Sequence, residues 1–167
     1  MFNFNFYTPT RVVFGKETEY RIGKLVKNAN CKKVLLHYGG GSVIRSGLLG
    51  RIKESLDASG VTYVELGGVV PNPRLSLVRE GIELCRKEGV DFLLAVGGGS
   101  VIDTAKAIGF GALYKGDFWD FFTGAAKIEK TLPVGVVLTI SAAGSEGSDS
   151  CVITQERGNL KWGCPKT

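Results

Sequence analysis

The stretch Asp91 to Val96 (DFLLAV) runs directly into Gly97-Gly98-Gly99-Ser100. A segment to about Leu113 follows, with apolar Val101, Ile102, Ala105, Ala107 and Ile108 at helical spacing. This unit constrains the fold more than any other feature of the chain. A short strand that is apolar almost throughout must be covered on both faces, because a strand with one wet face alternates instead. The same unit occurs earlier. Lys33 to Tyr38 (KVLLHY) leads through Gly39-Gly40-Gly41-Ser42 into Val43 to Ser59, where Val43, Ile44, Leu48, Leu49, Ile52 and Leu56 form one helical stripe. Strand, glycine turn and helix in repetition define an α/β fold, a Rossmann-like parallel sheet flanked by helices.

The remaining segments fit around that frame. Phe2, Phe4, Phe6, Val12 and Phe14 alternate on either side of Thr8-Pro9-Thr10, which predicts an N-terminal β-hairpin. Glu17 to Asn28 has the spacing of a helix. Val61 to Leu66 reads as a strand, and a helix is expected between Pro73 and Gly89, with proline first and glycine last. Asp117 to Thr123 is aromatic-rich and reads as a short helix or packed loop. Pro133 to Ile140 is a further strand, Ser141 to Asp149 a loop of small residues, and Cys151 to Thr154 with Leu160 to Gly163 a hairpin. No linker interrupts the series, so residues 1–167 are expected to form a single domain, a length sufficient to bury its own core.

Composition narrows the function. The formal charge is +5, but the 21 lysines and arginines are scattered rather than interleaved with aromatics, and no nucleic-acid partner is expected. Cys31, Cys85, Cys151 and Cys164 contain no C-x-x-C pair and read as reduced, packed thiols of a cytoplasmic protein. Met1 to Tyr7 lacks the apolar core of a signal peptide, and no apolar run approaches the roughly 20 residues that cross a membrane. The single histidine, His37, lies inside a buried strand and reads as a core residue, so the chain offers no metal-ligand set and no catalytic residue of its own. The Phe2, Phe4 and Phe6 strand is a candidate pairing edge for a homodimer, although pairing within the domain's own sheet is the first expectation.

The two glycine clusters share one structural address, the carboxyl end of a strand, where open α/β sheets bind ligands. A glycine turn opening into a helix presents backbone N–H groups and the positive end of the helix dipole, a setting for phosphate. Neither cluster is G-x-G-x-x-G or a P-loop, and one copy alone reads equally well as a tight turn. Two copies at equivalent positions favour a ligand with several phosphates, a dinucleotide. An acid at the end of the first core strand would mark NAD by binding its ribose 2′-hydroxyl. This chain has Gly39 to Ser42 there, with Arg45 a turn later, which favours NADP over NAD.

Four ordered motifs then match one family: F-N-F-Y-T-P-T-R-V-V-F-G-K at 4–16, Tyr38 to Ser42, V-P-N-P at 70–73 and G-G-G-S-V-I-D-T-A-K at 97–106. Over the whole chain the sequence resembles the iron-containing alcohol dehydrogenases, and within them the NADP-dependent butanol dehydrogenase and aldehyde reductase branch. The resemblance implies hydride transfer between NADP(H) and a primary alcohol or aldehyde. It places Gly98, Gly99 and Ser100 on the pyrophosphate, with Asp103 nearby toward the nicotinamide half. Gly39, Gly40 and Ser42 correspond to positions that hold the adenosine 2′-phosphate, and Asn72 to one lining the adenine ribose. Thr139 corresponds to a threonine near the adenine and pyrophosphate, and Lys161 to a lysine reaching the nicotinamide ribose. Without the family, Asp103 would read as a first-turn helix acid, Thr139 as a strand-end hydroxyl and Lys161 as a solvated lysine. Ala143 departs from the family, which carries threonine or another polar residue near that position.

The family's iron or zinc is held by an aspartate and three histidines of a helical second domain that this sequence does not contain. The expectation is therefore a truncated chain that binds cofactor without turnover. Two alternatives stand beside it: a stand-alone, non-catalytic nucleotide-binding module, and a fragment of a glycerol dehydrogenase-like or dehydroquinate synthase-like enzyme.

Overall fold

The computed structural model describes Asn3 and residues 9–164. Four strands, β1 (Val34–Gly39), β2 (Tyr63–Val69), β3 (Phe92–Gly97) and β4 (Val134–Leu138), form a sheet in the order β2-β1-β3-β4, all parallel. Its helices are α1 (Ile22–Lys27), preceded by a 3₁₀ turn at Thr18–Arg21, α2 (Ser42–Arg45), α3 (Leu48–Ala58), α4 (Leu75–Glu88), α5 (Gly99–Leu113) and α6 (Asp120–Thr123). A separate antiparallel hairpin, β5 (Val152–Gln155) with β6 (Leu160–Gly163), closes the described chain.

Alternation along the central strands divides the core into two layers. Val34 and Leu36 of β1, with Leu94 and Val96 of β3, pack against α1 and α3 through Ile22, Val26, Leu49, Ile52 and Leu56. Leu35, Leu93 and Ala95 face the other way, onto Val78 and Ile82 of α4 and Ile102, Ala105 and Ile108 of α5. Every residue of β3 is buried or nearly so, as a strand covered on both faces requires. β4 is apolar but only half-buried, because it is the sheet's edge. The aromatic stretch 117–123 has its place here too: Phe118 and Phe121 pack on Phe110 of α5, with ring centroids 5.4 and 5.0 Å away, and Trp119 stacks on Trp162 of β6.

Three expectations need correction. The helix foreseen over 43–59 is two helices, broken at Ser46-Gly47, where Gly47 takes φ 71°. β2 continues past Leu66 to Val69 through Gly67 and Gly68. The first arm of the N-terminal hairpin, Asn3 apart, lies outside the described residues, and among the described residues 9–14, where its second arm was expected, no strand is assigned. Val12 and Phe14 are 77% and 97% exposed.

Candidate dinucleotide site

Parallel pairing sets Tyr38 beside Val96, so the two glycine turns leave the sheet as neighbours. From β1 the chain crosses to β2 on one side, and from β3 to β4 on the other. The crevice between the carboxyl ends of β1 and β3 is therefore the topological switch point, the position at which doubly wound sheets bind ligands.

On the β3 side, Gly98 is the N-cap of α5 in an extended conformation, with no side-chain cap bond. Its carbonyl accepts from Val101 and Ile102 at 3.0 and 3.2 Å. The amides of Gly99 and Ser100 belong to the first helical turn, whose N–H groups have no intrahelical acceptor. A Cβ added to Gly99 would meet no heavy atom within 4 Å, so its surface is open. On the β1 side, a Cβ on Gly40 would have only the Val69 carbonyl oxygen near it, at 3.9 Å. The Arg45 side chain lies across Gly41. The acid nearest in chemistry, Glu65 of β2, is already engaged: it pairs with Lys53 at 2.7 Å and accepts from the Tyr38 hydroxyl at 3.1 Å.

The expected residues fall into groups. Ser42 and Thr139 line one open cleft of about 670 Å³, with Thr18, Arg51 and Ile140. Thr139 follows β4, and its amide donates to the Gly97 carbonyl at 3.1 Å, which fixes the exit of β4 beside the β3 turn. Asn72 and Lys161, far apart in sequence, meet directly, with Lys161 Nζ donating to Asn72 Oδ1 at 2.8 Å. Asn72 holds φ 58°, a left-handed conformation that asparagine tolerates. The next residue is tied to the hairpin, since the Pro73 carbonyl accepts from the Thr154 amide at 2.7 Å.

Asp103 is held by protein partners. Its Oδ1 accepts from the Ser145 hydroxyl at 2.6 Å and its Oδ2 from the Val152 amide at 3.0 Å. Lys106, one turn on, completes a network that sequence reading missed: its ammonium donates to Ser145 Oγ and to the Ser150 carbonyl, both at 2.9 Å. Burial lowers the Lys106 pKa, against the opposing pull of Asp103, Cys151, Asp149 and Glu146. The only sequence signal was the helical spacing of Asp103 and Lys106 on one face of α5.

His37 is fully buried, and its Nδ1 lies 2.8 Å from the Leu66 carbonyl. A carbonyl only accepts, so Nδ1 carries the proton. Desolvation depresses the ring's pKa to about 4, so the imidazole is neutral at pH 7. Among the described residues no group of three or more His, Cys, Asp or Glu converges on a point where a metal could sit. All four cysteines are free thiols, three of them buried. No helix among the described residues is long and apolar enough to cross a membrane.

Adjacent glycine turns at the switch point of a parallel sheet flanked by helices define the class: a Rossmann-like α/β fold. The chain belongs to the iron-containing alcohol dehydrogenase family, which it matches over residues 9–166. It is 47% identical to a probable NADH-dependent butanol dehydrogenase of Bacillus subtilis, across 99% of this chain and 43% of that protein. An NADPH-dependent aldehyde reductase of Escherichia coli is 40% identical across 93% of this chain and 40% of its own length. The solved structure of an NADH-dependent butanol dehydrogenase of Thermotoga maritima superposes with a TM-score of 0.96 at 49% identity, over 99% of this chain and 42% of that one. The chain thus spans about two fifths of the length of these relatives. The described residues do not fit the iron of the family's name, since their histidine and carboxylates do not converge.

Proposed function

We propose that this chain is the nucleotide-binding part of an alcohol dehydrogenase or aldehyde reductase that transfers hydride between NADP(H) and a primary alcohol or aldehyde. Its 167 residues bind and orient the dinucleotide without turning over substrate. The observation that carries this reading is the placement of two open glycine turns side by side at the switch point, each leading into a helix. The pyrophosphate lies on the amides of Gly98, Gly99 and Ser100. The adenosine end lies over Gly39, Gly40 and Ser42, with Thr139 in the same cleft and Asn72 on the adenine-ribose side, and the nicotinamide end runs toward Asp103 and Lys161.

The preference for NADP rests on this chain's own residues. The turn after β1 contains no carboxylate, and Arg45 folds over it. The relatives divide on the point, since the B. subtilis and T. maritima proteins are named for NADH and the E. coli protein for NADPH. Four free thiols, with burial pushing Cys85 up to about 12, suit a reducing cytoplasm.

The test is calorimetric titration of the purified chain with NADP(H) and NAD(H), alongside a butanol oxidation assay with iron or zinc added. Tighter binding of NADP(H) and no turnover are expected. Equal or tighter NAD(H) binding would remove the NADP preference, and metal-dependent butanol oxidation would refute the inactivity of the chain.

A further inference from the structure

The loop between β4 and β5 borders the β3 turn, yet it has few attachments of its own. Its internal bonds are local, from the Gly147 amide to the Gly144 carbonyl and from Ser148 to Ser145. Among the described residues, the hydrogen bonds that tie 140–150 to the rest of the domain all run to Lys106 and Asp103. Lys106 grips the loop at two points, and Ser145, itself buried, relays it to Asp103. An ammonium has three donors and no acceptor, so two oxygens from one loop are partners it can hold together.

We propose that Lys106 is a positioning residue: its ammonium sets the shape of the 141–150 loop, and through that loop the grip on the nicotinamide half of the dinucleotide. The inference rests on the reading that a dinucleotide crosses the β1–β3 switch point with its adenosine end on the β1 side. Lys106 need not touch the ligand. The part of the loop that it holds, Ser145 to Ser150, is bonded to Asp103 on the proposed nicotinamide side, whereas the proposed adenosine half meets the turn after β1, with which Lys106 shares no hydrogen bond among the described residues. The titratable groups that face the ammonium are Asp103, Asp149, Glu146 and the Cys151 thiol, which its contact with Cys164 and burial keep protonated. Burial lowers its pKa, so the grip loosens on the alkaline side at a lower pH than an exposed lysine would give.

The experiment compares two ligands, NADP⁺ and adenosine 2′,5′-bisphosphate, which lacks the nicotinamide half. Binding is measured for the unmodified chain, Lys106→Met and Lys106→Arg. Lys106→Met is expected to weaken NADP⁺ about tenfold, as loss of one to two bonds to an ionic donor implies. The bisphosphate should change by less than twofold. Lys106→Arg should recover part of the loss, and the alkaline weakening of NADP⁺ binding seen in the unmodified chain should vanish in Lys106→Met. If Lys106→Met fails to fold, Ser145→Ala reads the same contact, because it removes the shared acceptor. Unchanged NADP⁺ affinity, or an equal loss for both ligands, would overturn the inference while leaving the nucleotide reading intact. An unmodified chain that binds neither ligand would overturn both.

Discussion

Replacing Gly99 by alanine separates folding from binding. No heavy atom lies within 4 Å of the position its methyl group would take, and its φ is not in the left-handed region, so the substitution carries neither clash nor strain. Within a helix, Gly→Ala gains about 0.5–1 kcal/mol, and at the first helical position the gain is at the low end of that range. The same open space is where the pyrophosphate would approach. A methyl group there holds the anion off the Gly99 amide and costs one hydrogen bond to a charged group, about 1.5–3 kcal/mol or roughly ten- to a hundredfold in affinity. Gly97→Ala is the contrasting control. Its Cβ would lie 2.5 Å from Val101 Cγ2 and 2.9 Å from Val101 Cβ, so it should lose about 1–3 kcal/mol of stability through overpacking. Urea denaturation and calorimetric titration of NADP⁺ on both variants give the answer. Gly99→Ala should keep its denaturation midpoint and lose affinity. A variant that unfolds in step with its loss of binding, or binds as the unmodified chain does, would refute the argument that the phosphate rests on this amide.

Three further outcomes follow from particular contacts. The His37 ring has a folded pKa of about 4 against 6.5 unfolded, so the unfolded chain binds more protons between these values. Stability is full above about pH 6.5 and falls as pH drops toward 4, by up to about 3 kcal/mol from this group, a slope that urea melts at pH 7 and 5 detect and that His37→Gln should flatten. Gly23 of α1 sits where a methyl group would overlap the Ser55 carbonyl, and its amide donates to Ser55 Oγ at 3.0 Å. Gly23→Ala should therefore cost about 2–3 kcal/mol in a urea melt by forcing α1 off α3. Arg45→Ala should weaken NADP(H) about fivefold to tenfold and leave NAD(H) within twofold by titration, because an exposed arginine adds charge only to a ligand carrying the 2′-phosphate.

What could be read from the sequence was what local chemistry decides. α5 runs from Gly99 to Leu113 as expected, because a glycine turn opens it and its apolar spacing is uninterrupted. The β5–β6 hairpin likewise falls where it was expected, with its first strand one residue further on. The break at Ser46-Gly47 was hidden because the apolar stripe from Val43 to Leu56 keeps its period across it, and only the backbone of Gly47 departs. Gly67 and Gly68 looked like the end of β2. The strand instead continues beneath the Tyr38 ring, which leaves no room for a side chain at Gly67. The glycine turns of the site were legible for the same local reason. The Asp103–Ser145–Lys106 network was not, because its members come from an internal helix face and a loop about forty residues away, brought together only by the α5 and β5 packing. The contact between Asn72 and Lys161 spans 89 residues and has no sequence signal at all.

The β1 and β3 turns together are proposed to bind one dinucleotide. Amide chemical-shift mapping on the ¹⁵N-labelled chain during NADP⁺ titration tests it most directly. Saturable, one-to-one shifts are expected, largest at Gly39, Gly40, Ser42, Gly98, Gly99 and Ser100, with smaller changes in the 141–150 loop. A folded chain whose glycine amides stay still at millimolar NADP⁺, or whose shifts cluster elsewhere, would contradict it.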